Sequence, residues 1–201
     1  MNFVRLFRIG VWAAIAVLAG FLVVSTQLSD QRQPAEAATG APRVGGAFSL
    51  VSHKGERIDN RSLAGRPYIV FFGFTHCPEI CPTTLFELDG WLAALGDEGK
   101  DIRAWFVTVD PARDTPEIMD AYVGNVSDRI VGITGEPEKV EAMVRSFSIY
   151  FKRVELEDGD YTMDHTASVL LLDRKGDFAG TISYGENPDT AIAKLKRLAA
   201  G

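Results

Sequence analysis

Cys77 and Cys81 are the only two cysteines in 201 residues, and they stand four apart in IVFFGFTHCPEICPTT (69–84), each followed directly by proline. Sulfurs so placed can close a disulfide staple, exchange electrons as a dithiol, or hold a soft metal as thiolates. The staple is the poorest account. A bridge between residues four apart closes a very short loop and constrains the unfolded chain little. A domain of about 160 residues can also bury a core large enough to need none.

The dithiol account gains from position. A continuous apolar run precedes the pair and a helical pattern follows it, so both sulfurs stand near a helix N-terminus, where thiol pKa values fall and exchange is favoured. Two features oppose it. The gap between the cysteines is three residues, where thioredoxin motifs have two. Thioredoxin-type oxidoreductases also set a cis-proline opposite their cysteines, and here no proline occurs between Pro137 and Pro188. The stretch nearest that role is MDHT (163–166), which carries His165.

That histidine favours the metal account. The chain has three histidines, His53, His76 and His165. His53 falls in a first hairpin turn and is read as structural. His76 immediately precedes Cys77 and is either a candidate for orienting a ligand or a side chain that points away from the sulfurs. Cys77, Cys81 and His165 together offer two thiolates and one imidazole, a soft, low-coordinate set that suits Cu(I), or Cu(II) with an added oxygen or nitrogen ligand. Structural zinc sites ask for four protein ligands. Only His76 or a carboxylate can supply the fourth, which leaves zinc as a competitor to copper.

These residues need a scaffold, and the order of elements supplies one. FSLVSHKGERI reads as a hairpin about a Lys-Gly turn, and RPYIVFFGF (66–74) as a strand buried on both faces. PTTLFELDGWLAALG (82–96) spaces Leu85, Leu88, Leu92 and Leu95 for a helix that stops at Gly96. Pro82 is expected at the first helical position, which makes CPEIC a loop over the helix N-terminus. A strand follows at 101–110, then a helix capped by Thr115 with Pro116 at its start. Next come a strand in RIVGIT and a helix in EPEKVEAMVRSFS. Strands are expected around 150–156, 166–173 and 178–184, the last two a hairpin through DRKGD, and an amphipathic helix closes the chain. His165 is thereby expected at the entrance to a central strand. The order defines an α/β, thioredoxin-like fold, a mixed sheet with helices on both faces.

The N-terminus differs in kind. After Arg5 and Arg8, residues 9–28 carry no charge, long enough to cross a hydrocarbon core of about 30 Å. The flanking arginines favour a cytoplasmic N-terminus, residues 1–8. Residues 29–45 read as a flexible tether, and residues 46–201 as the folded domain on the far side of the membrane. AEA (35–37) resembles a signal-peptide cleavage site but lies well past the apolar run. From residue 43 onward 18 basic residues face 25 acidic ones, a net of −7. No basic stripe exists to meet nucleic acid.

The segments FFGFTHCPEICPTT, VTVDPARDTPE, ITG (133–135) and DYTMDHT, in this order and spacing, resemble the Sco/SenC family of membrane-tethered, thioredoxin-like copper proteins. The likeness spans roughly residues 44–201 and is specific in combination. It implies a copper chaperone rather than an enzyme, with Cys77, Cys81 and His165 binding one copper ion. The implied partner is subunit II of cytochrome c oxidase, or a related copper oxidase, whose dinuclear copper site it loads or whose thiols it prepares. A copper donor or a thiol reductant would act upstream. The implied location is a bacterial-type inner membrane with the domain in the periplasm, or the equivalent mitochondrial intermembrane space. Members that act as thiol–disulfide oxidoreductases or redox sensors keep the dithiol reading alive, with Cys77 as attacking thiol and Cys81 resolving. Peroxidase chemistry is weaker, since no arginine adjoins the cysteine motif.

The DPARD segment has two readings. Asp110 ends a strand expected beside the first buried one, so its carboxylate is a candidate for orienting the cysteine loop or a ligand. Arg113 and Asp114 equally make a local ion pair. Asp164, next to His165, is either an acceptor for the imidazole or a loop acid.

Overall fold

The computed structural model describes residues 44–157 and 159–201, together with Trp12. All but Trp12 belong to one compact unit, Ala41–Gly201. Apart from Trp12, the expected anchor at 9–28 lies outside the described residues, as does the tether up to residue 43. Among the described residues no helix is long and apolar enough to cross a membrane.

The centre of the sheet is β3 (Tyr68–Gly73), buried along its whole length as its unbroken apolar sequence requires. It pairs in parallel with β4 (Arg103–Thr108), placing Phe71 beside Phe106 and Gly73 beside Thr108. β5 (Ile130–Thr134) continues the parallel set. The hairpin of β1 (Ser49–Ser52) and β2 (Arg57–Asp59) joins antiparallel to β5. On the other side, β8 (Val169–Leu172) runs antiparallel to β3 and turns back into β9 (Phe178–Ile182). The seven-stranded order is β2-β1-β5-β4-β3-β8-β9, the mixed thioredoxin-like arrangement expected.

Alternation along β3 assigns its neighbours to two faces. Phe71 packs on Phe106 at 6.0 Å between centroids, and Phe106 meets Tyr122 at 5.6 Å. Tyr122 belongs to α3 (Pro116–Gly124), which Thr115 caps by accepting the Ile118 N–H. On the opposite face Phe72 meets Phe147 at 5.4 Å, just past α4 (Pro137–Ser146). A one-turn helix, α1 (Asn60–Leu63), follows β2, and α5 (Pro188–Ala200) closes the chain.

Two expectations require correction. The helix after β3, α2 (Ile80–Leu95), buries Leu85, Leu88, Leu92 and Leu95 as read, but it starts two residues early. Cys81 therefore lies inside its first turn and Pro82 is the third helical residue, not the first. The first N–H groups of a helix have no intrahelical acceptor, so a proline there forfeits no bond. The first i to i−4 bond runs from the Thr83 N–H to the Glu79 carbonyl, beyond the proline.

The second correction concerns His165. It ends β7 (Tyr161–His165), which pairs with β6 (Phe151–Glu155) in a separate two-stranded sheet, Phe151 opposite His165. The central strand begins only at Val169. The alternation of Tyr161, Met163 and His165 with Thr162 and Asp164 is the period-two signal of this strand.

Candidate metal centre

The end of β3 sets the cysteine loop over the parallel strands. The Cys77 N–H donates to the Phe74 carbonyl at 3.3 Å, turning the chain sharply. Three residues later the helix begins, and the Cys81 N–H donates to Cys77 Sγ at 3.4 Å. Both cysteines are free thiols, Cys77 half-buried and Cys81 buried. Cys81 Sγ packs over Gly73, where a side chain would collide with it.

His165 reaches this pair from β7. Its Nε2 lies 3.5 Å from Cys81 Sγ. Its Nδ1 lies 3.0 Å from the Thr166 carbonyl, which can only accept, so Nδ1 carries a proton and Nε2 is the ring nitrogen turned to the sulfurs. Phe71 and Phe74 stand edge-on to the ring at 6.2 and 5.8 Å and restrict its tilt. The two sulfurs and an imidazole nitrogen all lie within 4.8 Å of one another, a separation that one ion can bridge.

The two thiols are unlike. Cys77 is held down at about 4, chiefly by a hydrogen bond from Cys81; bonds from His165 and from the backbone of Cys81 and Glu79 add to it, against the opposing effect of burial. Cys81 is pushed up by its bond to Cys77, by burial and by the nearby thiolate. The reduced pair therefore shares one proton, with the charge on the more exposed sulfur. Of the two, Cys77 is the sulfur that gives up its proton more readily, and a soft cation bound by the pair would have to displace the proton on Cys81.

The other candidates fall elsewhere. His76 is exposed, its Nδ1 at 3.0 Å from Thr75 Oγ1. Asp164 is exposed on β7 opposite Lys152, and the acceptor for the imidazole is the Thr166 carbonyl instead. His53 is buried, and its Nδ1 accepts the Gly132 N–H at 2.9 Å, a structural role as read. Asp110 is 4% exposed and accepts from Tyr161 Oη at 2.9 Å and from Arg113 Nε. It thus acts on the histidine strand, not on the cysteines.

Arg113 and Asp114 do not form the local ion pair that their adjacency suggested. Asp114 is wholly buried and turns to the cysteine loop, accepting from Thr75 Oγ1 and Thr108 Oγ1, each at 2.6 Å, and from the Thr75 N–H at 3.2 Å. Burial pushes its carboxyl up, while the bonds from Thr108 and Thr75 oppose the shift. Local pattern does not mark Thr75 or Tyr161, because each is an ordinary residue whose partner in the DPARD turn stands at least 39 positions away.

A thioredoxin-like domain whose two sulfurs, set where a central strand passes into a helix, meet one imidazole within 4.8 Å defines a class of soft-metal or thiol proteins. The chain belongs to the SCO1/SenC family, whose sequence profile matches residues 36–200. It is 36% identical over 151 residues to "Protein SCO1 homolog 1, mitochondrial" of Arabidopsis thaliana, covering 75% of this chain and 45% of that protein. It therefore spans under half the length of that relative. Among solved structures, Bradyrhizobium japonicum ScoI with copper bound is 41% identical with a TM-score of 0.72, over 77% of this chain and 99% of that one. Arabidopsis thaliana ScoI with copper bound is 32% identical with a TM-score of 0.73, over 78% and 98%.

Proposed function

We propose that this protein is a copper chaperone that takes one copper ion as cargo on Cys77, Cys81 and His165 and passes it to a copper oxidase. The observation that carries the reading is the convergence of the two sulfurs and the imidazole within 4.8 Å. Membership of the SCO1/SenC family and the copper named in two related structures support it. Two thiolates and an imidazole suit Cu(I), and the half-buried Cys77 leaves one side of the site open to a partner's ligands. Binding requires both thiols reduced, so the oxidation state of the pair gates loading.

Subunit II of cytochrome c oxidase is the proposed recipient, as the family resemblance implies. The uncharged run at 9–28 and the tether to residue 45 would hold domain 46–201 at a membrane surface, in the periplasm or its mitochondrial equivalent. Asp110 is proposed to serve the site through the strand that carries His165; Asp164 and His76 are given no part in binding.

The half-buried Cys77 sulfur, which accepts the Cys81 N–H at 3.4 Å and has a lowered pKa, favours a second reading, a tethered thiol–disulfide oxidoreductase. A lowered pKa is what a nucleophile attacking a partner disulfide would need. One experiment separates the two. The full chain, fully reduced and free of oxygen, is titrated with Cu(I) against a chelator of known affinity, beside His165→Ala and Cys77→Ser. One tightly held ion, greatly weakened in both variants, is expected. Weak binding that His165→Ala leaves untouched, with retained disulfide reduction, would overturn the chaperone reading.

A further inference from the structure

The two halves of the site arrive on separate pieces of structure. The sulfurs come from the end of β3 and the start of α2, whereas His165 ends a strand of the two-stranded sheet, outside the seven-stranded one. Within that small sheet the backbone bonds join β6 only to β7. Phe71, Phe74 and the Thr166 carbonyl orient the imidazole ring, and the strand that carries it needs a hold of its own.

The turn after β4, residues 110–114, touches both halves. Toward the sulfurs, buried Asp114 fastens Thr75, two residues before Cys77, as described above. Toward the histidine, Tyr161 is gripped at several points. Its hydroxyl donates to Asp110 Oδ1 at 2.9 Å. Its carbonyl accepts from Arg113 Nη1 at 3.0 Å. The Arg113 guanidinium lies 3.7 Å from the ring centroid, and Arg153 of β6 lies 3.6 Å from it. Arg113 is itself fixed by Asp110 and is largely buried. Stacked guanidinium groups and a charge-assisted hydrogen bond are directional contacts, able to set a position and not merely to exclude water. Tyr161 and His165 are four apart on one strand, so their side chains project from the same face. Fixing the first fixes the second.

We infer that Tyr161 is a positioning residue for copper: clamped by Asp110 and Arg113, it keeps His165 in register with the cysteine loop, which Asp114 holds from the same turn. This rests on the copper reading of the site. It assigns the DPARD segment a joint purpose, a single rigid footing for ligands that reach the site from two sheets. A ligand held by such a footing approaches the ion without a reordering cost, and loss of comparable supporting contacts lowers metal affinity about 10- to 100-fold.

The test is a double-mutant cycle on Cu(I) affinity in the full chain, measured by chelator competition with melting temperature alongside. Tyr161→Leu is expected to weaken binding about 10- to 100-fold in the wild-type background and to have no further effect in His165→Ala, because its action runs through that imidazole. Tyr161→Phe keeps the stacked ring and loses only the bond to Asp110, so its loss should be smaller; it also serves as the test where the leucine variant does not fold. In the Cu(II) form, Tyr161→Leu should weaken the imidazole nitrogen coupling in the EPR spectrum and retain the thiolate-to-copper absorption. If both Tyr161 variants leave affinity unchanged, or cost the same in both backgrounds, the inference is overturned while the copper reading stands. If the wild-type chain holds no Cu(I), the copper reading falls and this inference with it.

Discussion

A β-carbon added to Gly73 would come within 2.7 Å of Cys81 Sγ. The last residue of β3 is therefore bare because a buried sulfur takes the space that any side chain would need. The same β-carbon would meet Phe106 at 2.7 Å, so neither neighbour can give way cheaply. Gly73→Ala is expected to destabilise the fold by about 1–3 kcal/mol through overpacking. By shifting Cys81 it should also weaken Cu(I) binding by about tenfold or more. Denaturant unfolding and chelator competition measure the two losses. An alanine variant with unchanged affinity would show that the sulfur has room to move.

The unequal thiols predict an unusual reactivity profile. An ordinary thiol becomes a thiolate only as pH rises past about 8.5, whereas Cys77 is held near 4 by the Cys81 hydrogen bond first and by His165 and backbone donors after it. In the reduced, metal-free protein, Cys77 should alkylate at a rate nearly flat from about pH 6 to 9, falling only in acid near about 4. Cys81→Ala removes the leading cause, so its profile should move toward that of a free thiol. A wild-type inflection at ordinary thiol pH would refute the shared-proton description.

Asp114 makes a prediction of opposite sign. Burial raises its folded-state pKa above the unfolded value of 3.8, with Thr108 and Thr75 bonds opposing. The folded state thus favours the proton. The associated stability is fully present below the unfolded value and is lost as pH rises through the folded one. Compared with Asp114→Asn, which carries no charge at any pH, the wild type should lose relative stability as pH rises above the unfolded value of 3.8. Paired urea unfolding curves at several pH values give that difference. Movement the other way would mean that the threonine hydroxyls outweigh burial.

The legible parts of this molecule are those that local pattern encodes. The unbroken apolar run of β3, the leucine spacing of α2 and the Thr115–Pro116 start of α3 each specify their element without reference to distant residues. The three candidate ligands were legible because cysteine and histidine are scarce and chemically distinctive. Supporting contacts follow a different logic. Whether Asp110 serves the cysteines or the histidine depends on which strand crosses its turn, and β7 does so from 51 residues away. Adjacency suggested an Arg113–Asp114 pair, but successive side chains in a turn diverge, one to Tyr161 and the other to Thr75. Pro82 misplaced the helix start because the first helical turn tolerates proline at several positions, not at one.

The three histidines should separate by experiment along the lines of their environments. His53 is buried with Nδ1 accepting the Gly132 N–H, so His53→Ala leaves a buried backbone donor unpaired and should cost about 1–3 kcal/mol of stability. Its copper affinity should stay near that of the wild type. His76 is exposed and, among the described residues, meets the adjacent Thr75 by hydrogen bond, so His76→Ala should change neither stability nor affinity appreciably. His165 offers Nε2 to Cys81 Sγ at 3.5 Å, and His165→Ala should cut Cu(I) affinity sharply with little loss of melting temperature in the metal-free protein. The three donors suit Cu(I) but give Zn(II) only three of the four protein ligands its structural sites use. In the wild type, Cu(I) should accordingly displace Zn(II) at equal concentration. Substantial loss of affinity in His76→Ala would place that ring among the ligands and favour a four-ligand zinc site over the three-ligand copper site argued here.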